Sequence, residues 1–226
     1  MNLEGNNQRM AEILALADAL RTPLLQLHLS SEGVQDPYAL KIITEHALRD
    51  IEAFITTYSS YDRAQLQMSP ISLGAIMTDA AEKVKPYAKL NGISVGVDDH
   101  SKHQLVLGVP SRLLQGLELV AKTMCDFNSD YKNPEIMFRA DTRHGYPRVG
   151  VYREDIDLNA SDVAVAKRLL GGVQVNAGQF KQLAALRMVI ASKLLEPLGL
   201  NLRSAKSNGD HGLALQLFPS TQIGLF

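Results

Sequence analysis

Tryptophan is absent from this 226-residue sequence, and cysteine occurs once, at Cys125. A single thiol excludes an internal disulfide and any multi-cysteine metal centre. Cys125 sits in an apolar helical pattern and reads as a small buried residue rather than a nucleophile. No run of about 20 apolar residues occurs, so no membrane span is expected. The opening residues, Met-Asn-Leu-Glu-Gly-Asn-Asn, are polar and lack the apolar core of a secretory signal, which makes the cytoplasm the expected compartment. An excess of one charge is also missing. Lys and Arg total 23 against 24 Asp and Glu, and this balance argues against a nucleic-acid partner. There is no Gly-x-Ser-x-Gly, no Walker loop and no dinucleotide fingerprint. What remains is an ordinary globular composition, 46% hydrophobic and 21% charged, long enough for one good core or two modest ones.

Two helices are expected first. Met10, Ile13, Ala17, Leu20, Leu24 and Leu27 alternate in steps of three and four, an a/d seam that calls for partner helices. Pro23 sits inside this seam, where a proline costs about 3 kcal/mol and bends the helix. Ser30-Ser31-Glu32-Gly33 breaks the pattern. Asp36-Pro37 then reads as an N-cap followed by proline at the first helical position. The second helix extends to about Tyr61, with Leu40, Ile43, Ala47, Ile51, Phe54, Tyr58 and Tyr61 on one stripe. Two such helices cannot close a core alone, so a second copy of the chain is expected to complete a four-helix bundle, a homodimer through residues 6–61.

After Ser69-Pro70 the pattern becomes mixed. A short extended piece at Ile71 to Leu73 leads into a helix that stops at Asn91-Gly92. Ile93, Val95 and Val97 alternate as a strand does, and Leu105 to Leu107 form another. A helix begins after Pro110-Ser111. Glu135 to Ala140 and Arg148 to Tyr152 form a hairpin around Arg143-His144-Gly145. Residues 153–180 are irregular, with a short helix at Val163 to Leu170. A long helix runs from Lys181 to Leu198. Strands at Leu200 to Ser204 and Leu213 to Phe218 are joined by the turn residues Ser207-Asn208-Gly209-Asp210.

Three segments carry a family resemblance. Ala17-Asp18-Ala19-Leu20-Arg21-Thr22-Pro23-Leu24 is similar to the H-box of two-component sensor histidine kinases, Ser-His-Glu-Leu-Arg-Thr-Pro-Leu. Pro110-Ser111-Arg112-Leu113-Leu114-Gln115 looks like the Asp-Pro-x-Arg-Leu-x-Gln that opens their N-box helix. The stretch from Ile190 to Pro219 resembles the last helix and closing hairpin of their ATP-binding fold. The resemblance implies an α+β chain. Residues 1–66 would be the dimerisation and phosphotransfer hairpin, and residues 67–226 the catalytic and ATP-binding α/β sandwich.

The positions that carry chemistry depart from the family pattern. The phosphoacceptor histidine is replaced by Asp18, and the acid after it by Ala19. An aspartate can form an acyl phosphate only with a metal and an acidic pocket, which this helix does not offer. The N-box asparagines that hold Mg²⁺ fall on Leu119 and Thr123. Leucine cannot ligate a hard cation. The adenine-reading aspartate of the G1 box falls on Arg153, which has only donors. Asp155 and Asp157 follow it, but without the box's glycines. The G2 glycines, which let backbone amides approach phosphate, fall on Ala185 and Arg187. Gly171-Gly172 offers a displaced phosphate loop as an alternative, but a glycine pair without the rest of the box is common in turns.

The resemblance therefore implies a cytoplasmic histidine-kinase-like homodimer without autokinase activity. It would act by binding a response-regulator receiver domain or a partner kinase through Arg21, Thr22 and Leu25, and no cofactor is expected. Thr22 stands where the family places a phosphatase residue. One alternative is a phosphotransferase, for which only His28 or His46 could carry phosphate; more often such residues are partly exposed packing histidines. Another is an active kinase using ATP and Mg²⁺ with divergent motifs. A third is a sensor reusing the vacated nucleotide cleft for a small ligand. His100, His103, His144 and His211 form no metal set.

Overall fold

Alternating apolar residues between turns build sheets, and three helices, two amphipathic and one apolar nearly all round, cover one of them. The computed structural model describes residues 37–58, 66–98, 104–127, 131–161, 163–164 and 182–220. The first expected helix, with Asp18, Arg21, Thr22, Leu25 and His28, lies outside the described residues, as do Gly171, Gly172 and most of the expected helix at 163–170.

In chain order the elements are helix α1 (Pro37–Tyr58), strand β1 (Ser69–Ser72), α2 (Leu73–Leu90), β2 (Ser94–Val97), β3 (Leu105–Gly108) and α3 (Pro110–Cys125). They continue with β4 (Glu135–Arg143), β5 (Tyr146–Arg153), α4 (Gln182–Leu195), a single 3-10 turn (Glu196–Leu198), β6 (Leu202–Ser207), β7 (Asp210–Gln216) and β8 (Phe218–Pro219). Five strands form a mixed sheet in the order β2-β4-β5-β7-β6, with β2 parallel to β4 and the other pairs antiparallel. A small antiparallel sheet, β1-β3-β8, stands beside it.

The core lies between the large sheet and helices α2, α3 and α4. Ile136, Phe138, Val149, Val151 and Leu213 point into it from alternate strand positions, and Met77, Leu117, Met124 and Met188 meet them from the helices, all essentially without solvent contact. Each such side chain contributes roughly 1.5–3 kcal/mol by leaving water. Local signals set the ends of the elements. Ser72 caps α2 by accepting from the Ala75 amide at 3.4 Å. Pro110 opens α3, where its missing amide proton costs nothing.

The strands run further than apolar alternation indicates. β4 reaches Arg143, and β6 and β7 run right up to Asn208-Gly209. Both residues of this turn have positive φ, at 53° and 91°, as a two-residue hairpin loop with the sheet's own twist requires. The added end residues are mostly polar, so they leave no hydrophobic signal. The expected strand from Leu213 to Phe218 divides at Leu217, and Phe218–Pro219 pairs with β3 in the small sheet.

Helix α1 lies against α4 and α2. Its most buried line is not the expected apolar stripe. Ile42, His46 and Ala53 are 4, 3 and 2% exposed, whereas Leu40, Ile43, Ala47, Ile51 and Phe54 are only half-buried. The buried line includes polar residues, which a search for apolar periodicity passes over.

Candidate functional site

Helix α3 carries Glu118 and Lys122 one turn apart, followed by Asp126 at its C-cap, on the side that meets α1 and α4. All three are buried. Asp50 of α1 reaches between α3 and α4. Lys122 Nζ donates to Asp50 Oδ1 at 2.8 Å, and Arg187 Nε of α4 donates to Asp50 Oδ2 at 2.8 Å. Arg187 Nη1 also donates to Asp126 Oδ2 at 2.6 Å and to the Tyr87 hydroxyl at 2.8 Å, and that hydroxyl donates to Asp126 Oδ1 at 2.7 Å. The Arg187 guanidinium lies over the Tyr87 ring, 4.9 Å from its centre, and the His46 ring meets Tyr87 edge-on at 5.2 Å. Glu118 Oε1 is 3.0 Å from Lys122 Nζ and 3.5 Å from Arg49 Nη1. Three carboxylates, Asp50, Glu118 and Asp126, therefore face three cations, Arg49, Lys122 and Arg187.

The electrostatics follow from burial and pairing. Burial alone would raise the Asp50 pKa, but Arg187 and Lys122 beside it hold its carboxyl below the usual value. Burial opposes the charge on Arg187, and Asp50 and Asp126 overcome it, so its pKa rises well above normal. Burial, with some help from Lys122 and Arg49, pushes His46 down to about 3, which keeps it neutral. Burial also pushes the Cys125 thiol up to about 12, which removes it as a nucleophile at neutral pH. Two buried polar atoms, His46 Nδ1 and Glu118 Oε1, make no hydrogen bond and lie 3.8 Å apart.

The positions that align with the nucleotide boxes surround this cluster and have structural duties. Leu119 is in the hydrophobic core, 2% exposed, and so is Ala185 at 2%. The Thr123 hydroxyl donates to the Leu119 carbonyl at 2.8 Å and approaches the Ala184 carbonyl at 3.4 Å, tying α3 to α4. Arg153 is fully buried. It donates to the Met124 carbonyl at 2.5 Å and the Phe127 carbonyl at 3.3 Å, satisfying groups left open where α3 ends, and it pairs through both branches with Asp155. Arg187 belongs to the charge cluster. Asp157 stands apart: its side chain is 79% exposed, and Oδ1 lies 3.1 Å from His211 Nδ1. The fold thus brings Leu119, Thr123, Arg153, Asp155, Ala185 and Arg187 around the second half of α3 and leaves Asp157 outside.

A cavity of about 120 Å³ remains beside Leu119, lined by Asp50, Lys83, Glu118 and Lys122 among others. Small-molecule sites typically occupy 300–1,000 Å³. Among the described residues, no three His, Cys, Asp or Glu side chains are grouped to hold a metal ion, and no helix is long and apolar enough to cross a membrane. Sequence reasoning missed Asp50, Tyr87, Glu118, Lys122 and Asp126. The only available signal was charged residues at core-facing helical positions of α3, since Glu118 and Lys122 alternate there with Leu117, Val120 and Ala121. His46 is buried rather than partly exposed.

No protein-family model matches the chain, and no curated protein matches it. Solved structures do. The catalytic domain of histidine kinase ThkA aligns with a TM-score of 0.52 at 11% identity, over 68% of this chain and 97% of that one. The Acinetobacter baumannii histidine kinase AdeS aligns with a TM-score of 0.54 at 12% identity, over 89% of this chain and 98% of that one. Full-length ShkA, solved in complex with AMPPNP, aligns with a TM-score of 0.57 at 15% identity, over 97% of this chain but only 47% of that one. These likenesses establish architecture: the chain has a histidine-kinase-like fold, with the α/β sandwich of histidine kinase catalytic domains.

Proposed function

We propose that this chain is a two-component signalling protein that has kept the kinase scaffold, has no autokinase activity, and works by binding a receiver domain or a partner kinase. One observation carries the reading. Arg187, at an aligned G2 position, and Lys122 beside it are neutralised by the chain's own Asp50, Asp126 and Glu118, and among the described residues the cavity beside them is about 120 Å³. A nucleoside triphosphate and Mg²⁺ need open volume, available oxygen ligands and free cations; of the aligned side chains Thr123 commits its hydroxyl to the Leu119 carbonyl, Asp155 is paired with Arg153, and Arg187 is paired with Asp50 and Asp126. On this reading neither ATP nor Mg²⁺ is a cofactor. Leu48 and Ile55, seven residues apart on α1, are 54 and 57% exposed, which supports the expected homodimer through residues 6–61. Arg21, Thr22 and Leu25 are the proposed partner-binding residues, and Asp18 is not a phosphoacceptor.

The test is incubation of the purified protein with Mg²⁺ and γ-labelled ATP. No acid-labile label is expected, and a stoichiometric phosphoryl adduct would overturn the proposal. Incubation with a phosphorylated receiver domain separates the phosphotransferase alternative. That alternative needs label on His28 or His46, and His46 at 3% exposure is out of an incoming aspartyl phosphate's reach while α1 stays docked.

A further inference from the structure

The five-stranded sheet has a second face, opposite helices α2 to α4. Its centre is built from small residues. A Cβ at Gly150 would lie 2.8 Å from both Ala214 Cβ and the Tyr152 hydroxyl, and one at Gly212 would lie 2.1 Å from the Val151 carbonyl and 2.7 Å from the Tyr152 ring. The low floor lets long side chains lie flat. Arg139 crosses to Asp210 at 2.5 Å and to the Ser207 carbonyl at 2.9 Å, and passes 5.9 Å from the Tyr152 ring centre. Arg148 pairs through both branches with Asp141. Beside this floor, over Ala214 and Gln216, a groove of about 580 Å³ runs from the β4–β5 turn to the start of β6, and a second cavity of about 600 Å³ shares Arg143, Arg148, Ser204 and Ala205 with it and continues to Lys206 and His211. Its far wall, β6, is the edge strand of the sheet.

Arg139 and Arg148 are neutralised, but Arg143 and Arg203 are exposed and no carboxylate pairs with either among the described residues. Tyr146 and Phe218, 45 and 44% exposed, stand in the same groove. Unpaired arginines beside exposed aromatic rings, along a trough continuous across several strands, fit an extended ligand with negative charges and apolar side chains. The number of charges selects the class. A nucleic-acid groove engages many phosphates, commonly six to ten in a strong complex. Here, among the described residues, the outer-face arginines without a carboxylate are Arg143 and Arg203, while Asp157 lines the adjoining cavity and the whole chain carries a net charge of −1.

We infer that this groove binds an extended acidic segment of a partner protein, with two carboxylates on Arg143 and Arg203 and apolar side chains on Tyr146 and Phe218. This site lies across the sheet from the charge cluster and does not depend on the absence of autokinase activity.

The test is fluorescence polarisation of the full chain with three labelled probes: the peptide Glu-Glu-Leu-Glu-Glu-Phe-Glu-Glu, the same peptide with Lys for every Glu, and decathymidylate. The acidic peptide should bind at least tenfold more tightly than the other two, and its affinity should fall as salt rises. The R143E/R203E double variant should lose at least tenfold in affinity for the acidic peptide while its thermal unfolding stays unchanged, because both side chains are exposed. Tyr146→Ser should weaken the acidic peptide severalfold. Equal binding of the acidic and basic peptides, tighter binding of decathymidylate, or undiminished binding by the folded double variant would each overturn the proposal.

Discussion

The two faces of one sheet treat the same kind of side chain in opposite ways. On the helical side, Arg187 and Lys122 are 4 and 0% exposed, and each is held by two carboxylates. On the other side, Arg143 and Arg203 stand in solvent without a carboxylate among the described residues. The difference follows from dielectric environment. A buried cation without a counter-ion costs several kcal/mol, so the interior has to supply anions, and it brings one in from a separate helix. A solvated cation costs nothing to leave unpaired and stays available for a partner. In this molecule a closed interior network accompanies a stabilising role, and an open cationic surface accompanies a binding role.

The contrast can be attacked at both ends. Asp50→Ala strands Lys122 and Arg187 with one fewer carboxylate and should cost about 3–5 kcal/mol in urea denaturation, with α1 released from α4. His46 sharpens the comparison through pH. Its folded pKa is lowered to about 3, so between about pH 6.5 and pH 3 the unfolded chain takes up a proton that the folded chain refuses. Stability should therefore fall as the pH drops through that window, by up to roughly 1.4 kcal/mol per pH unit, and His46→Gln should flatten that slope. The lowered Asp50 pKa has the same sign: its contribution is present above the ordinary carboxylate range and is lost as acid protonates the folded carboxyl. Tyr87→Phe removes one hydroxyl that serves both Asp126 and Arg187 and should cost about 1–3 kcal/mol. Arg143→Gln and Arg203→Gln should each change stability by less than about 0.5 kcal/mol, measured in the same denaturation series.

Much of the fold was legible because its signals are local. Asn91-Gly92, Pro110 and Asn208-Gly209 mark ends that depend on backbone chemistry, and the structure uses each as such. Alternating apolar residues located β2, β4, β5 and β7, and failed where strands end in polar residues and at Leu217, where one expected strand divides between two sheets. Alignment with the kinase boxes singled out Arg153 and Arg187 as departures from the family pattern. It could not say what they do instead, because their partners are fixed by tertiary packing. Asp50 and Arg187 are 137 positions apart and share no motif. The buried line of α1 left no apolar signal for the same reason: His46 and Asp50 are polar in sequence and interior only once α3 and α4 are in place.

The salt link from α1 to α4 also bears on how the chain divides. Severed near residue 66, the piece carrying Arg187 and Lys122 would lose the carboxylate that bridges them, and the piece carrying Asp50 and His46 would present both to water. The boundary that looks like a seam between two modules is therefore bridged by an ionic clasp, and neither fragment made by cutting there would carry its native surface.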